Sequence, residues 1–465
     1  MITVLTDGHK SLFPAAEICR LFLGSSVRCD GTCIMAEYPE EIVIESTVNP
    51  LGGVYTTVTG TEIFEEPDSR YPLSPNREVK RQLYRIFSKI TDKAFPWGSL
   101  TGIRPTIVAR EAGESGLESL YDVRRDKAGL AVDTARAEDR ILSGTVDDDL
   151  FVYIGIPFCP GRCSYCSFIT QESRASAELL SEYAEAVLRE ITGLAGVVRN
   201  VRSVYFGGGT PTVMDNGLLR NFVNGVLNRI CPERDAEITV EAGRADTLDE
   251  EKLEGLVSAG VQRICVNPQT LRDRTLLEIG RHHTSDQFFR AYEAARKAGF
   301  SSMNTDLIAG LPGENIDDFR FSMDRILSLS PENITVHALS KKRSALMDRG
   351  AVTEDAQRGR IADEMIRYAQ AGLFREGYRP YYLYKQKDTV GGLENTGFSK
   401  PKHECVYNVG MMSDRRSVLS FGAGGVSKRL FPDGSLRRFD CVRNPKEYIV
   451  RTDGIIEGKM RFFGV

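Results

Sequence analysis

Cys159, Cys163 and Cys166 stand in Tyr153-Ile154-Gly155-Ile156-Pro157-Phe158-Cys159-Pro160-Gly161-Arg162-Cys163-Ser164-Tyr165-Cys166, a C-x3-C-x2-C pattern that follows a short apolar run. Three thiols in one loop make three soft ligands, and soft thiolates select iron–sulfur clusters or zinc. Structural zinc ordinarily takes four protein ligands, and no further Cys or His lies near this loop. Three cysteines suit a [4Fe–4S] cluster with one iron left open, which is what a small chelating cofactor needs. Inert thiols or an incomplete zinc site are the other readings of the same residues.

A second pattern is Val204-Tyr205-Phe206-Gly207-Gly208-Gly209-Thr210-Pro211-Thr212, a strand candidate that runs into three glycines. Glycines at the C-terminal end of a strand let the backbone approach a ligand without side-chain obstruction. Taken alone, such a run is more often a tight turn. Four polar residues also fall at or just past strand ends: Glu241, Gln269, Arg281 and Asp306. Charge in a cleft is costly unless a ligand or partner pairs it, so these are ligand contacts, mutual ion pairs or solvated loop edges.

The elements that must position these groups alternate. Strand candidates at 150–156, 203–206, 237–241, 262–266, 302–308 and 333–337 are separated by amphipathic segments, such as 174–194 with Leu180, Tyr183, Val187, Ile191 and Leu194 on one stripe. Thr247-Leu248-Asp249-Glu250 reads as a capping box opening the next helix. Six strand–helix units predict a parallel sheet with right-handed crossovers, as an open or partial barrel with its ligand face at the C-terminal strand edge. Before it, residues 1–148 read as a separate α/β module, with strands near 41–48 and 53–58 and a helix over 76–90. Residues 149–385 form the core. From 386 to 465 the Gly-rich text, including Gly391-Gly392 and Ser420-Phe421-Gly422-Ala423-Gly424-Gly425, reads as a loop-rich C-terminal cap.

Composition sets outer limits. The 465 residues are 41% hydrophobic and 27% charged, ordinary for a globular chain, and no stretch approaches the ~18 apolar residues of a membrane span. Sixty Lys and Arg against 64 Asp and Glu leave a net charge of −4, so there is no basic field for nucleic acid. The N-terminal Met1-Ile2-Thr3-Val4-Leu5-Thr6-Asp7 lacks the basic start of a secretory signal, which predicts a cytoplasmic protein. Of the other cysteines, Cys29 and Cys33 are too few for a second metal site, and Cys19, Cys231, Cys265, Cys405 and Cys441 read as small buried hydrophobes. Adjacent His282 and His283 read as solvated or as facing a haem, and Lys341-Lys342-Arg343 as a solvated face or a receiver of carboxylates.

The cysteine motif, followed by Gly208-Gly209-Thr210-Pro211, resembles the radical S-adenosylmethionine (SAM) superfamily through most of residues 150–345. The order of Glu241, Gln269, Arg281 and Asp306 resembles the oxygen-independent coproporphyrinogen III oxidase/dehydrogenase branch. The text of Asn267-Pro268-Gln269-Thr270, Ile279-Gly280-Arg281-His282-His283-Thr284, Pro380-Tyr381-Tyr382-Leu383-Tyr384-Lys385-Gln386-Lys387 and Pro96-Trp97-Gly98-Ser99-Leu100-Thr101-Gly102-Ile103-Arg104-Pro105-Thr106 resembles its HemZ-type subgroup, over nearly the whole chain.

That resemblance implies a partial TIM-like (β/α)6 radical SAM barrel, with one [4Fe–4S] cluster held by Cys159, Cys163 and Cys166. It implies SAM contacts at Tyr153, Gly208, Glu241 and Ala338, with Gly209, Thr210, Gln269, Arg281 and Asp306 lining the same pocket for one or two SAM molecules. The implied partners are a tetrapyrrole, coproporphyrinogen III or haem, and a low-potential electron donor such as ferredoxin or flavodoxin. The implied reaction is oxidative decarboxylation of coproporphyrinogen III to protoporphyrinogen IX. The decarboxylating branch carries a further Cys two residues after the third ligand and a His two residues after the Tyr. This chain has Phe168 and Gly155 there, as the haem-chaperone branch does, so haem delivery stands as the alternative, beside methylation or ring opening of haem.

Overall fold

Leu150–Ile156 is an apolar run buried at every position except Tyr153, as expected of a strand covered on both faces. It is the first strand of the larger of the two units into which the chain folds. The computed structural model describes all residues except 69–72, 103, 167–170, 173–174 and 341–355. Phe168 and Lys341-Lys342-Arg343 therefore lie outside the described residues.

The first unit comprises Met1–Ala135, Asp348–Asp363 and Tyr384–Glu394. Its six-stranded sheet, in the order β2-β3-β1-β4-β5-β6, is built from β1 (Ile2–Asp7), β2 (Arg28–Asp30), β3 (Cys33–Ala36), β4 (Ile42–Val48), β5 (Val54–Val58) and β6 (Phe64–Glu65). Helices α1 (Phe13–Leu23) and α2 (Pro75–Thr91) cover one face, burying Ile18, Phe22, Leu83 and Phe87 against Val4, Ile44 and Val54. Both helices open with Pro in the first turn, where the missing N–H costs nothing. α3 (Pro105–Tyr121) and α4 (Arg125–Leu142) follow. In this unit Lys127 Nζ and Trp97 Nε1 donate to the two oxygens of Glu394, at 2.6 and 2.7 Å, so a fully buried carboxylate is satisfied at both ends.

The second unit comprises Arg136–Met347, Glu364–Leu383 and Asn395–Val465. Six parallel strands lie side by side in chain order: β7 (Leu150–Ile156), β10 (Val201–Gly208), β11 (Glu237–Glu241), β12 (Arg263–Cys265), β13 (Ser302–Ala309) and β14 (Asn333–Ala338). A short pair, β8 (Phe158–Cys159) and β9 (Gln171–Glu172), stands apart from them. Helices α5 (Ala177–Gly193), α6 (Asn216–Ile230), α7 (Glu250–Ser258), α8 (Asp273–Glu278), α9 (Ser285–Ala298) and α10 (Ile316–Leu329) connect the parallel strands, and α11 (Ala356–Arg375) follows β14. The sheet is an open, partial TIM-like barrel. The predicted stripe on α5 is buried throughout, and α9 and α10 each begin with a reciprocal capping box, Thr284 with Gln287 and Asn315 with Asp318.

The structure corrects several expectations. α7 is capped by Asp249, whose Oδ1 accepts from Lys252 N at 2.8 Å, while Thr247 Oγ1 turns back to Arg244 O. The capping-box reading missed because a turn of tight helix occupies Ala245–Thr247. Cys231 is exposed, since it ends α6 in a left-handed conformation with φ 47°. The glycine-rich C-terminal stretch is structured. β15 (Arg379–Lys385) and β16 (Glu394–Ser399) extend the large sheet beyond β14, and β17 (Ser417–Phe421), β18 (Val426–Leu430) and β19 (Leu436–Asp440) extend it beyond β7. α12 (Val406–Ser413) and α13 (Pro445–Phe463) complete this segment.

Candidate functional site

The loops that leave the C-terminal ends of β7, β10 and β11 meet. Gly209 N and Thr210 N donate to Ile156 O and Phe158 O, each at 2.7 Å, which ties the triple-glycine loop to the start of the cysteine loop. The glycines are required there. A Cβ at Gly209 would lie 2.3 Å from Phe158 O, and one at Gly207 would lie 2.7 Å from Glu241 Oε2. Gly208 has φ +108°, and a Cβ on it would come within 2.9 Å of Tyr153 Oη. Tyr153, Gly208 and Glu241 thus share one corner.

Glu241 ends β11. Its Oε1 accepts from Tyr205 Oη at 2.5 Å and its Oε2 from Gly208 N at 3.1 Å. Burial pushes its carboxyl up to about 7 against those two bonds, and the nearby Asp306 charge pushes the same way. For Asp306, burial is outweighed by bonds from His337 and Asn304, and its carboxyl lies below the usual range. Asn304 Nδ2 donates to Asp306 Oδ1 at 2.8 Å, and His337 Nε2 lies 3.7 Å from Oδ2. The two neighbouring carboxylates thus shift in opposite directions, Glu241 up and Asp306 down.

Gln269 has φ +67° and bridges to β13, its N–H donating to Asp306 O and its carbonyl accepting from Ile308 N, both at 3.0 Å. Ala338 is buried at the end of β14, paired with Ala309. Thr210 Oγ1 lies 3.4 Å from Cys159 Sγ, so the glycine loop and the cysteine loop touch through side chains as well. Burial pushes the Cys159 thiol up to about 11.

Arg281 lies elsewhere in the constellation. It is buried beside the cysteine loop, with Nη1 donating to Gly243 O at 2.9 Å and Asn267 O at 2.6 Å. The turn that carries it docks on that loop, Ser164 N donating to Ile279 O at 3.0 Å. His283 is buried rather than solvated, because this turn packs inward; His282 is exposed.

Three residues escaped the sequence reading. Tyr407, on α12, stacks on Tyr205 with ring centroids 4.5 Å apart and on Tyr153 at 6.0 Å, and only the fold brings it there. His337 stands one residue before Ala338, on the other face of β14. Arg244, buried, donates Nη1 to Cys163 Sγ at 3.7 Å. Its signal was present, three residues past Glu241, but an arginine in a loop reads as surface.

The residues fit a [4Fe–4S] cluster with SAM. Among the described residues no three Cys, His, Asp or Glu side chains are gathered tightly enough for a single metal ion. A four-iron cluster binds each thiolate to a different iron, so its ligands stand wider apart. Buried polar atoms around the loop also await partners: Ser164 Oγ, Asn267 Oδ1 and Arg281 Nε have none among the described residues.

Residues 153–326 match the Radical SAM superfamily, the class of protein that this open barrel and three-cysteine loop define, which uses a [4Fe–4S] cluster and SAM. The chain is 32% identical to the oxygen-independent coproporphyrinogen-III oxidase-like protein HemZ of Bacillus subtilis (strain 168), over 96% of this chain and 93% of that protein, and it belongs to the same family. It is 25% identical to the heme chaperone HemW of Escherichia coli (strain K12), over 64% of this chain and 75% of that one. Coproporphyrinogen III oxidase (HemN) from Escherichia coli shares the fold, with a TM-score of 0.51 and 18% identity over 71% of this chain and 82% of that chain. Among the described residues no helix is long and apolar enough to cross a membrane.

Proposed function

We propose that this protein is a cytoplasmic radical SAM oxidoreductase that decarboxylates coproporphyrinogen III without oxygen, turning two propionates into vinyl groups on the way to protoporphyrinogen IX. The observation that carries the chemistry is the meeting of the cysteine loop, the glycine loop, Glu241 and Asp306 at one strand edge; family membership directs it to a tetrapyrrole. Cys159, Cys163 and Cys166 would hold the cluster. Tyr153, Gly208 and Glu241 would hold SAM, the carboxylate accepting from ligand hydroxyls, and Gly209, Thr210, Gln269, Arg281, Asp306 and Ala338 would line the pocket, with room to be tested for a second SAM. Once bound and reduced by a low-potential donor such as ferredoxin or flavodoxin, the cofactor pair would supply hydrogen-atom abstraction at the propionate β-carbon, after which carbon dioxide leaves and one electron passes to an acceptor. The protein's own part is to orient SAM and exclude water.

Haem delivery is the second reading, and position 155 favours it. The chain has Gly155 where the decarboxylating branch carries His, and a Cβ there would lie 3.2 Å from Ala423 O and 3.3 Å from Phe421 O, a tight fit for a side chain. Anaerobic turnover with coproporphyrinogen III, SAM and reductant separates the readings. Vinyl-bearing product, lost in a Cys159→Ala, Cys163→Ala, Cys166→Ala triple variant together with its iron, supports decarboxylation. Unchanged porphyrinogen with tight haem binding overturns it in favour of the carrier.

A further inference from the structure

Arg244 is 3% exposed, yet its guanidinium reaches a cysteine sulfur instead of water. A buried guanidinium is costly unless its surroundings fix and pair it. Here one edge is held by Asp246, Nε to Oδ1 at 3.1 Å and Nη2 to Oδ2 at 3.2 Å, and the remaining Nη1 is directed at Cys163 Sγ, 3.7 Å away. The planar fork makes this possible, because a carboxylate occupies one edge while the other stays free to donate. Behind Asp246 stands His283, with Nδ1 3.9 Å from Oδ1, both ring nitrogens lacking hydrogen-bond partners among the described residues. Arg281 lies on the same side, its Nη1 donating to the carbonyls of Gly243 and Asn267 and its guanidinium also bonded to Tyr165 and Cys163. The groups facing the loop here are thus two guanidiniums, one carboxylate and an imidazole, a net positive surrounding.

We propose that Arg244 is a positioning residue that donates to the Cys163 thiolate and thereby raises the reduction potential of the cluster, with Asp246 as its tether. The inference rests on the reading of Cys159, Cys163 and Cys166 as cluster ligands. Three thiolates outweigh the charge of an oxidised four-iron core, and reduction adds another electron, so a fixed cation and a hydrogen bond to sulfur stabilise the reduced form more than the oxidised one. Low-potential cofactors are difficult to reduce, and a buried arginine lessens the demand on the donor.

The test uses the full-length protein, reconstituted anaerobically, with iron content measured and the midpoint of the one-electron couple followed by EPR. Arg244→Gln should lower the midpoint; a tenfold loss in the equilibrium constant for reduction reads as 59 mV. Arg244→Lys should fall between Gln and the unmodified protein. Asp246→Asn, whose side-chain oxygen still accepts from the guanidinium while the negative charge is removed, should raise it. Opposite signs from Arg244→Gln and Asp246→Asn are something a merely structural role does not produce. Midpoints that do not move, or that move in the same direction at normal iron content, overturn the proposal. Should Arg244→Gln fail to hold iron, Asp246→Asn and Arg244→Lys decide alone: a raised midpoint in the first and a lowered one in the second support the proposal, and any other pair overturns it. Absence of a four-iron cluster from the unmodified protein instead refutes the ligand assignment, and the inference falls with it.

Discussion

Tyr205→Phe is the sharpest probe of the SAM pocket, because it removes one oxygen and leaves the ring stacked on Tyr407. The lost bond is the one Tyr205 Oη donates to Glu241 at 2.5 Å; the bond from Gly208 N remains. A hydrogen bond to a charged group stabilises it by ~1.5–3 kcal/mol, and at 1.36 kcal/mol per pKa unit that corresponds to about 1–2 units. Burial already places the Glu241 carboxyl at about 7, so about half is ionised at pH 7 in the unmodified protein. In the variant the carboxyl titrates about 1–2 units higher, the ionised fraction at pH 7 falls to roughly a tenth or a hundredth, and SAM binds roughly 5–50-fold more weakly. The deficit closes as pH rises past the new value, whereas in the unmodified protein affinity rises from about pH 6 to about pH 8. The stability effect has the opposite sign: a carboxyl whose folded value is raised favours the protonated fold, so stability falls as pH rises from the ordinary carboxylate range through about 7. Equilibrium binding of SAM to the reconstituted protein across this range is the assay. Affinity independent of pH in both proteins, or equal affinity at pH 7, refutes the role of Glu241 and the reasoning behind it.

Asp306 is held ionised by His337 and Asn304, so Asp306→Asn should weaken SAM binding by a factor that stays constant above about pH 8, where Glu241 is ionised in both proteins; a loss that still changes with pH there argues that Asp306 itself titrates in that range. Gly209→Ala puts a Cβ 2.3 Å from Phe158 O, and overpacking of this kind costs ~1–3 kcal/mol, so SAM affinity and cluster retention should fall together; normal iron with normal SAM binding contradicts the close approach. Lys459→Met leaves Glu190 buried after losing its 2.6 Å ion pair, and should destabilise the protein by ~3–5 kcal/mol in denaturant unfolding, while a near-neutral change argues that Tyr448 and Gly422 N satisfy the carboxylate alone.

The parallel strands and the cysteine and glycine loops were legible because both leave short-range marks. Apolar runs of strand length recur between amphipathic segments, and the predicted 150–156 and 237–241 coincide with β7 and β11. Cysteine spacing and a glycine run announce a loop that must admit a ligand. What escaped lacks a local signature. Arg244 and His283 are buried by the docking of the Ile279–His283 turn on the cysteine loop, and a charged or imidazole residue between glycines and helices reads as solvated until that docking is known. The resemblance puts Arg281 in the same pocket, and the structure buries it beside the cysteine loop with Nη1 on Gly243 O and Asn267 O. Tyr407 arrives from more than 200 residues beyond Tyr205, a contact that no periodicity encodes.

The C-terminal stretch was hidden by its own glycines, and it changes what the barrel can do. Six strand–helix units alone would leave β7 at the edge of the open sheet, with one row of amides and carbonyls unpaired, and edge strands are the less secure members of a sheet. β17 lies parallel to β7, Ser417 to Phe421 paired with Leu150 to Ile154, and turns the strand that launches the cysteine loop into an interior one. Tyr183 Oη closes the same seam, donating to Gly155 O at 2.6 Å and accepting from Ala423 N at 2.8 Å. α12 packs so near that a Cβ on Gly410 would lie 2.7 Å from the Phe151 ring, and it is this close approach that carries Tyr407 onto Tyr205. The glycines at 410 and 422 that look like loop therefore mark close contact: at Gly422 a Cβ would meet Gly155 O at 2.4 Å. A rigid β7 is what three ligands and a glycine loop need if they are to hold one geometry while a ligand binds against them.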